Sequence, residues 1–287
     1  MWRSRICQHI GRRRHFTTID ASEVKKFSAK SAEWWDPDGE FGMLQLMNPA
    51  RVRYVRDQLA DQSTSIGITS NKPFENLKML DIGCGGGLLS ESLTRLGGRV
   101  LGADASADNI KMAQFHKRQD PQLWRGPGQL EYKHTTAEDL LDAKESFDVV
   151  LAMEIIEHVN NPLQFLRTCG DLVRPGGTLF LSTMSRTFVS YFLTVALAED
   201  MLRLVHQGTH DWTKYITSKE LMHAIESMGQ DWTVQDVRGI FWDPVCRQWR
   251  VAQEKGLVSP GGLESLEVNY FLTAKKNDNK LEGDDAI

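Results

Sequence analysis

The hydrophobic stretch Leu77 to Ile82 runs directly into Gly83-Cys84-Gly85-Gly86-Gly87, and leucines then recur at helical spacing at Leu88, Leu89, Leu93 and Leu96. A strand, a glycine loop and a helix in that order constrain the fold more than any other part of the chain. Glycines let a backbone turn sharply, take positive φ and come within van der Waals reach of a ligand. Twenty-one residues past Gly83, Asp104 closes the run Arg-Val-Leu-Gly-Ala-Asp. An acid at the end of the second strand is placed to accept hydrogen bonds from ribose hydroxyls. A glycine loop alone can be a tight connection and nothing more. With the strand, the helix and Asp104 around it, the pattern predicts an adenosine-containing ligand at the switch point of an α/β sheet.

The loop chemistry narrows the choice. A dinucleotide fingerprint needs a glycine at 88, where Leu88 stands, and no Lys-Ser or Lys-Thr follows to make a phosphate-cradling loop. What remains is Asp81-x-Gly83-x-Gly85-x-Gly87, which resembles the S-adenosylmethionine loop of seven-strand methyltransferases.

Strand and helix patterns alternate beyond the loop, as in a parallel sheet covered by helices. Strands are expected near 77–82, 99–104, 130–134, 147–152 and 178–183, the last launched by the turn Arg174-Pro175-Gly176-Gly177. A helix at 217–228 precedes strand-like runs at 232–238 and 266–274 with no helix between, which suits an antiparallel last pair. The segment from Gln119 to Gln129 reads as a loop. Ahead of the sheet, residues 20–72 read as helices and a polar linker, and 185–216 as an insertion dominated by the apolar helix 187–205. That helix is either core, or a lid over an apolar substrate or the membrane interface. The expected domains are therefore an N-terminal helical part (20–72), an α/β domain (73–277) carrying the insertion, and a disordered acidic tail (278–287).

Residues 1–19 hold five arginines and no acid, with apolar residues interspersed, which is the signature of a mitochondrial transit peptide. The plain alternative is a basic tail for nucleic acid or anionic lipid. Without that stretch, 29 basic residues face 38 acidic ones, a net charge of −9. So acidic a body is a poor nucleic-acid binder. Three scattered cysteines outside the basic stretch, with no CxxC pair, indicate a reducing compartment and neither disulfides nor a zinc site.

Two constellations carry candidate chemistry. Met153 and Glu154 follow the fourth strand, and the carboxyl ends of parallel strands line the ligand crevice. If a helix begins there, Glu154, Glu157 and His158 fall at i, i+3 and i+4 on one face and can hold a divalent cation. The plain reading is that acids at a helix N-terminus favour its dipole. Thr136-Ala137-Glu138-Asp139 meets an adenine edge or caps a helix. Gly208-Thr209-His210-Asp211-Trp212 is a polar loop suited to substrate contact.

Together these stretches are similar to one family, the ubiquinone-biosynthesis O-methyltransferases. The matching segments are Trp34-Trp35-Asp36 with Gly39-Glu40-Phe41, Asn48-Pro49-x-Arg51, Leu80 through Gly87, Met153-Glu154-x-x-Glu157-His158-Val159, and Gly208-Thr209-His210-Asp211. The resemblance spans about residues 23 to 274. It implies a seven-strand Rossmann-like class I methyltransferase sheet with N-terminal helices and a helical lid. It implies that Arg51, Gly83, Gly85, Asp104 and Met153 meet S-adenosylmethionine, and that Glu154, Glu157 and His158 bind Mg2+. It further implies a polyprenylated phenol or quinol as methyl acceptor, with His210 or Asp211 taking the phenolic proton. The expected location is the mitochondrial matrix face of the inner membrane, within a membrane-associated biosynthetic complex. Rival readings on the same fold are a C- or N-methyltransferase and a non-catalytic assembly factor.

Overall fold

The computed structural model describes residues 17–62, 72–184, 216–243, 245–252 and 269–278. Eight strands form one sheet in the order β3-β2-β1-β4-β5-β8-β6-β7. They are β1 (Lys78–Ile82), β2 (Arg99–Asp104), β3 (Gln129–His134), β4 (Phe147–Met153), β5 (Val173–Met184), β6 (Trp232–Asp243), β7 (Gln248–Val251) and β8 (Asn269–Lys276). The first five pair in parallel, and β8, β6 and β7 add antiparallel. Between and ahead of them lie α1 (Ala21–Ala29), α2 (Gly42–Gln62), α3 (Leu88–Arg95), α4 (Ala107–Gln119), α5 (Gln122–Arg125), α6 (Ala137–Asp142), α7 (Pro162–Leu172) and α8 (Ser218–Glu226).

Successive strand residues point to opposite faces, and both faces of the inner strands are covered, which is why β1 and β4 read as apolar runs, while the edge strand β3 alternates buried and exposed residues. Leu80, Leu179, Leu181 and Leu272 pack one way, against Leu140 of α6, Phe165 and Leu166 of α7 and Ile225 of α8. Met79, Phe180 and Phe271 pack the other way, against Tyr54 and Val55 of α2, Leu93 of α3 and Ile110 of α4.

The strand expectations hold with two differences. Gln248–Val251 is an eighth strand, a short hairpin partner of β6. The Arg174-Pro175-Gly176-Gly177 segment is not a turn ahead of β5 but part of it, absorbed as an irregularity in the pairing with β4. Gly176 relieves the local bend with φ +73°. The segment expected as a loop before β3 contains the single turn α5. Residues 1–16, most of the expected linker and tail, and all but the last residue of the 185–216 insertion lie outside the described residues.

Candidate active site

The glycine loop closes β1 against β2. Gly83 and Cys84 both donate their amides to the Ala103 carbonyl, at 2.8 and 3.1 Å. Gly83, Gly85 and Gly87 all have positive φ, which is why glycines alternate here. Asp104 ties the loop from the side. Its Oδ2 accepts from the Gly85 amide at 2.9 Å, and its Oδ1 accepts from the Ser106 amide at 2.7 Å and from Asn109 Nδ2 at 3.3 Å. Burial pushes the Asp104 carboxyl up, and those donors oppose the shift.

The N-terminal helices form the roof. Trp34 lies over Gly85 and Gly86, stacks on Phe41 at 3.8 Å between ring centroids, and donates Nε1 to Asn109 Oδ1 at 3.0 Å. Trp35 donates Nε1 to the Gly86 carbonyl at 3.0 Å and stacks on His116. The roof is therefore bonded both to the glycine loop and to the asparagine that supports Asp104.

Beneath it is a cavity of about 380 Å3 whose lining includes Arg51, Gly83, Gly85, Asp104, Met153, Glu154 and Glu157. The five residues expected to meet the cofactor thus share one cavity. Arg51 is 5% exposed, and its Nε and Nη2 have no hydrogen-bond partner. Burial lowers its proton affinity, while Glu154, Asp81 and Glu157 oppose the change.

Asp81 is fully buried beneath the loop and accepts from Ser90 Oγ at 2.5 Å. Burial raises its carboxyl from 3.8 to about 6, with the Ser90 bond and Arg51 opposing. A raised native value favours folding fully below pH 3.8, and that contribution is lost as pH rises through about 6. A rise of that size corresponds to about 3 kcal/mol. Asp81→Asn should therefore be more stable than the parent at pH 7.5 without cofactor, and the gap should close by pH 4. Urea unfolding of both proteins at the two pH values measures it; a gap that persists at pH 4 would refute the assignment.

The acid–histidine cluster differs from its expectation. Strand β4 continues to Met153, Glu154 turns the chain at φ +56°, and only a 3-10 turn, Ile156–His158, follows. The i, i+3, i+4 spacing needs a continuous α-helix, which this backbone does not form, although all three residues line the same cavity. Glu154 Oε1 accepts from Ser182 Oγ at 2.7 Å. His158 Nδ1 is 3.0 Å from Glu23 Oε2 of α1, and its ring meets Phe27 edge-on. Glu157 is 3% exposed, and burial raises its carboxyl to about 7, with His158 and Thr183 opposing the change. Among the described residues no group of three such side chains is placed to hold a metal ion. Mg2+ commonly takes one or two carboxylates and keeps its waters. Glu157 with Glu154 fits that pattern, and His158 does not belong to it.

Thr136 and Asp139 form a capping box at the start of α6, the helix-cap reading of that segment. Glu138 beside them accepts from both the amide and the hydroxyl of Thr18, at 2.9 and 2.6 Å. Ile19 bridges to Val159, and Asn160 donates to the Thr18 and Ile19 carbonyls. Sequence alone did not mark this N-terminal strap, because its partners lie more than 100 positions away. His210 and Asp211 lie outside the described residues.

A methyltransferase-domain family model matches residues 80–181. The structure resembles magnesium protoporphyrin IX methyltransferase from Synechocystis with bound S-adenosylhomocysteine, at TM-score 0.55 and 15% identity over 88% of this chain and 94% of that one. It also resembles a methyltransferase from Methanosarcina mazei, at TM-score 0.51 and 20% identity over 74% and 98% of the two chains. Fold and loop together define a class I S-adenosylmethionine-dependent methyltransferase, with S-adenosylmethionine as its cofactor. Ubiquinone biosynthesis O-methyltransferases from Ruegeria pomeroyi and Cereibacter sphaeroides are 43% and 44% identical to it. They align over 89% and 88% of this chain and 96% and 95% of their own lengths. The chain belongs to the ubiquinone biosynthesis O-methyltransferase family.

Proposed function

We propose that the protein transfers the methyl group of S-adenosylmethionine to a phenolic oxygen of a polyprenylated dihydroxybenzoate or demethylated quinol. The observation that carries this is one cavity lined by the glycine loop, Asp104 and the carboxylates Glu154 and Glu157. In this reading Gly83, Gly85 and Asp104 hold the adenosine, while Arg51 and Met153 meet the methionine portion. The free donors of Arg51 suit an anionic carboxylate. The roof of Trp34 and Phe41 excludes water from the reacting centre.

In-line displacement requires the oxygen near 3 Å from the methyl carbon, so positioning supplies much of the rate. The phenol, with a pKa of about 10 like tyrosine, must also lose its proton. Glu157, raised to about 7 by burial, is a proton acceptor suited to neutral pH. His210 and Asp211 remain candidates for the same task. A divalent cation, where bound, would be held by Glu157 and Glu154 and would acidify the phenol.

The test is methyl transfer to a short-tailed dihydroxybenzoate, first with EDTA and then with Mg2+ restored. O-methylated product supports the reading, and product methylated on ring carbon, or no product, would overturn it. Activity lost to EDTA and restored by Mg2+ supports the cation; turnover indifferent to EDTA removes it.

The arginine-rich, acid-free stretch supports import into the mitochondrial matrix and action at the inner-membrane surface, in a membrane-associated biosynthetic complex. Thr18 and Ile19 are bonded into the fold, which supports a cleavage ahead of them rather than at the boundary at 19 that composition suggests. N-terminal sequencing of the protein recovered from imported organelles locates the cut.

A further inference from the structure

The cavity has a second polar edge that neither the cofactor loop nor the carboxylate wall uses. Trp249 of β7 and Asn269 of β8 both line it. Trp249 Nε1 and Asn269 Oδ1 are buried with no hydrogen-bond partner. An unmatched buried donor or acceptor is costly, and buried polar groups in folded proteins are nearly always paired. Two such atoms, on residues that both line one cavity, therefore call for a partner.

The sheet places them together. Asn269 stands opposite Ile240 of β6, and Trp249 stands opposite Trp242, two residues further along the same strand. Directly opposed residues share a face, and so do residues two apart. Trp249 and Asn269 therefore look toward the α2 side, where Trp249 packs with Ile240 and Phe271. Asn269 also stands opposite Met184, where β5 runs into the 185–216 insertion. Strand β8 is three places from β1, roughly 14 Å at ordinary strand spacing, which sets Asn269 well away from the adenosine end.

We propose that Trp249 and Asn269 recognise the methyl acceptor, the indole N–H donating to one ring oxygen and the amide carbonyl accepting from a neighbouring hydroxyl. An indole nitrogen can only donate and an amide oxygen can only accept, so the pair matches an aromatic ring with two oxygens of which at least one is O–H. This assigns specificity within the O-methylation reading above and rests on it. A site built to bond a hydroxyl rejects the analogue lacking it far more strongly than an apolar pocket does.

The test uses Trp249→Phe and Asn269→Leu, which keep most of the volume and remove the polar atom. Calorimetry measures S-adenosylhomocysteine affinity, and then the affinity of a short-tailed dihydroxybenzoate for the protein saturated with S-adenosylhomocysteine. Each variant should bind the acceptor about 10-fold more weakly, raise KM similarly, and keep S-adenosylhomocysteine affinity within twofold. A monohydroxy analogue should bind the parent and Asn269→Leu equally. Unchanged acceptor affinity would overturn the proposal, as would a loss confined to S-adenosylhomocysteine. A variant that loses both ligands is replaced by Trp249→Leu or Asn269→Ala, to which the same criteria apply. Failure of the parent to methylate any aromatic hydroxyl would instead overturn the O-methylation reading and this inference with it.

Discussion

Replacing Asp104 with alanine should weaken S-adenosylhomocysteine binding by about 100-fold, or about 3 kcal/mol. A carboxylate offers roughly four acceptor positions. Three protein donors use Asp104, namely the Gly85 amide, the Ser106 amide and Asn109 Nδ2. Asp104 lines the cavity, so a ribose hydroxyl would take the remaining acceptor position. A hydrogen bond to a charged group contributes about 1.5–3 kcal/mol, and alanine also releases the Gly85 amide, which loosens the loop. Asp104→Asn keeps the volume and one acceptor oxygen, so its loss should be nearer 10-fold. Calorimetric titration measures both. An alanine variant within threefold of the parent would show that the ribose does not use this acid.

How much of this arrangement could be read from sequence depended on range. Strands β1, β2 and β4 lie inside the sheet, so their apolar runs marked them to within a residue or two, and the edge strand β3 was marked by alternation, with Leu130 and Tyr132 buried between exposed neighbours. The alternation of glycines marked the loop, because each needs a backbone that side chains disfavour. Strand β7 gave no such signal: it is four residues long, and Gln248 and Arg250 are exposed. The helix expected to carry Glu154, Glu157 and His158 does not form, for a local reason. A left-handed residue at 154 breaks the helical period, and nothing in Glu-Ile-Ile-Glu-His declares that turn. The bond of His158 was beyond reach for a distant reason, since its partner Glu23 lies 135 positions earlier. Asn269 had a weak signal, a polar residue opening the apolar run Tyr270-Phe271-Leu272. Trp249 had none.

The roof over the glycine loop gives the second large effect. Gly85 has φ +54°, and a Cβ built there would overlap the six-membered ring of Trp34. Two separable penalties act on Gly85→Ala. A left-handed backbone costs a residue with a Cβ about 1–2 kcal/mol, and displacing a packed indole costs about as much again. The variant should lose roughly 3 kcal/mol, which for a chain of this size lowers Tm by about 6–12 °C. Trp34→Ala removes the clash but not the strain, and by itself forfeits the stacking on Phe41 and the bond to Asn109. In a double-mutant cycle the combined loss should therefore be smaller than the sum of the single losses, by about 1–2 kcal/mol. Additive losses would mean that Trp34 does not sit on Gly85 in solution and that the roof is open. Coupling of the expected sign would show it closed in the absence of ligand, so that cofactor entry requires α1 and the Trp34–Phe41 stack to move together.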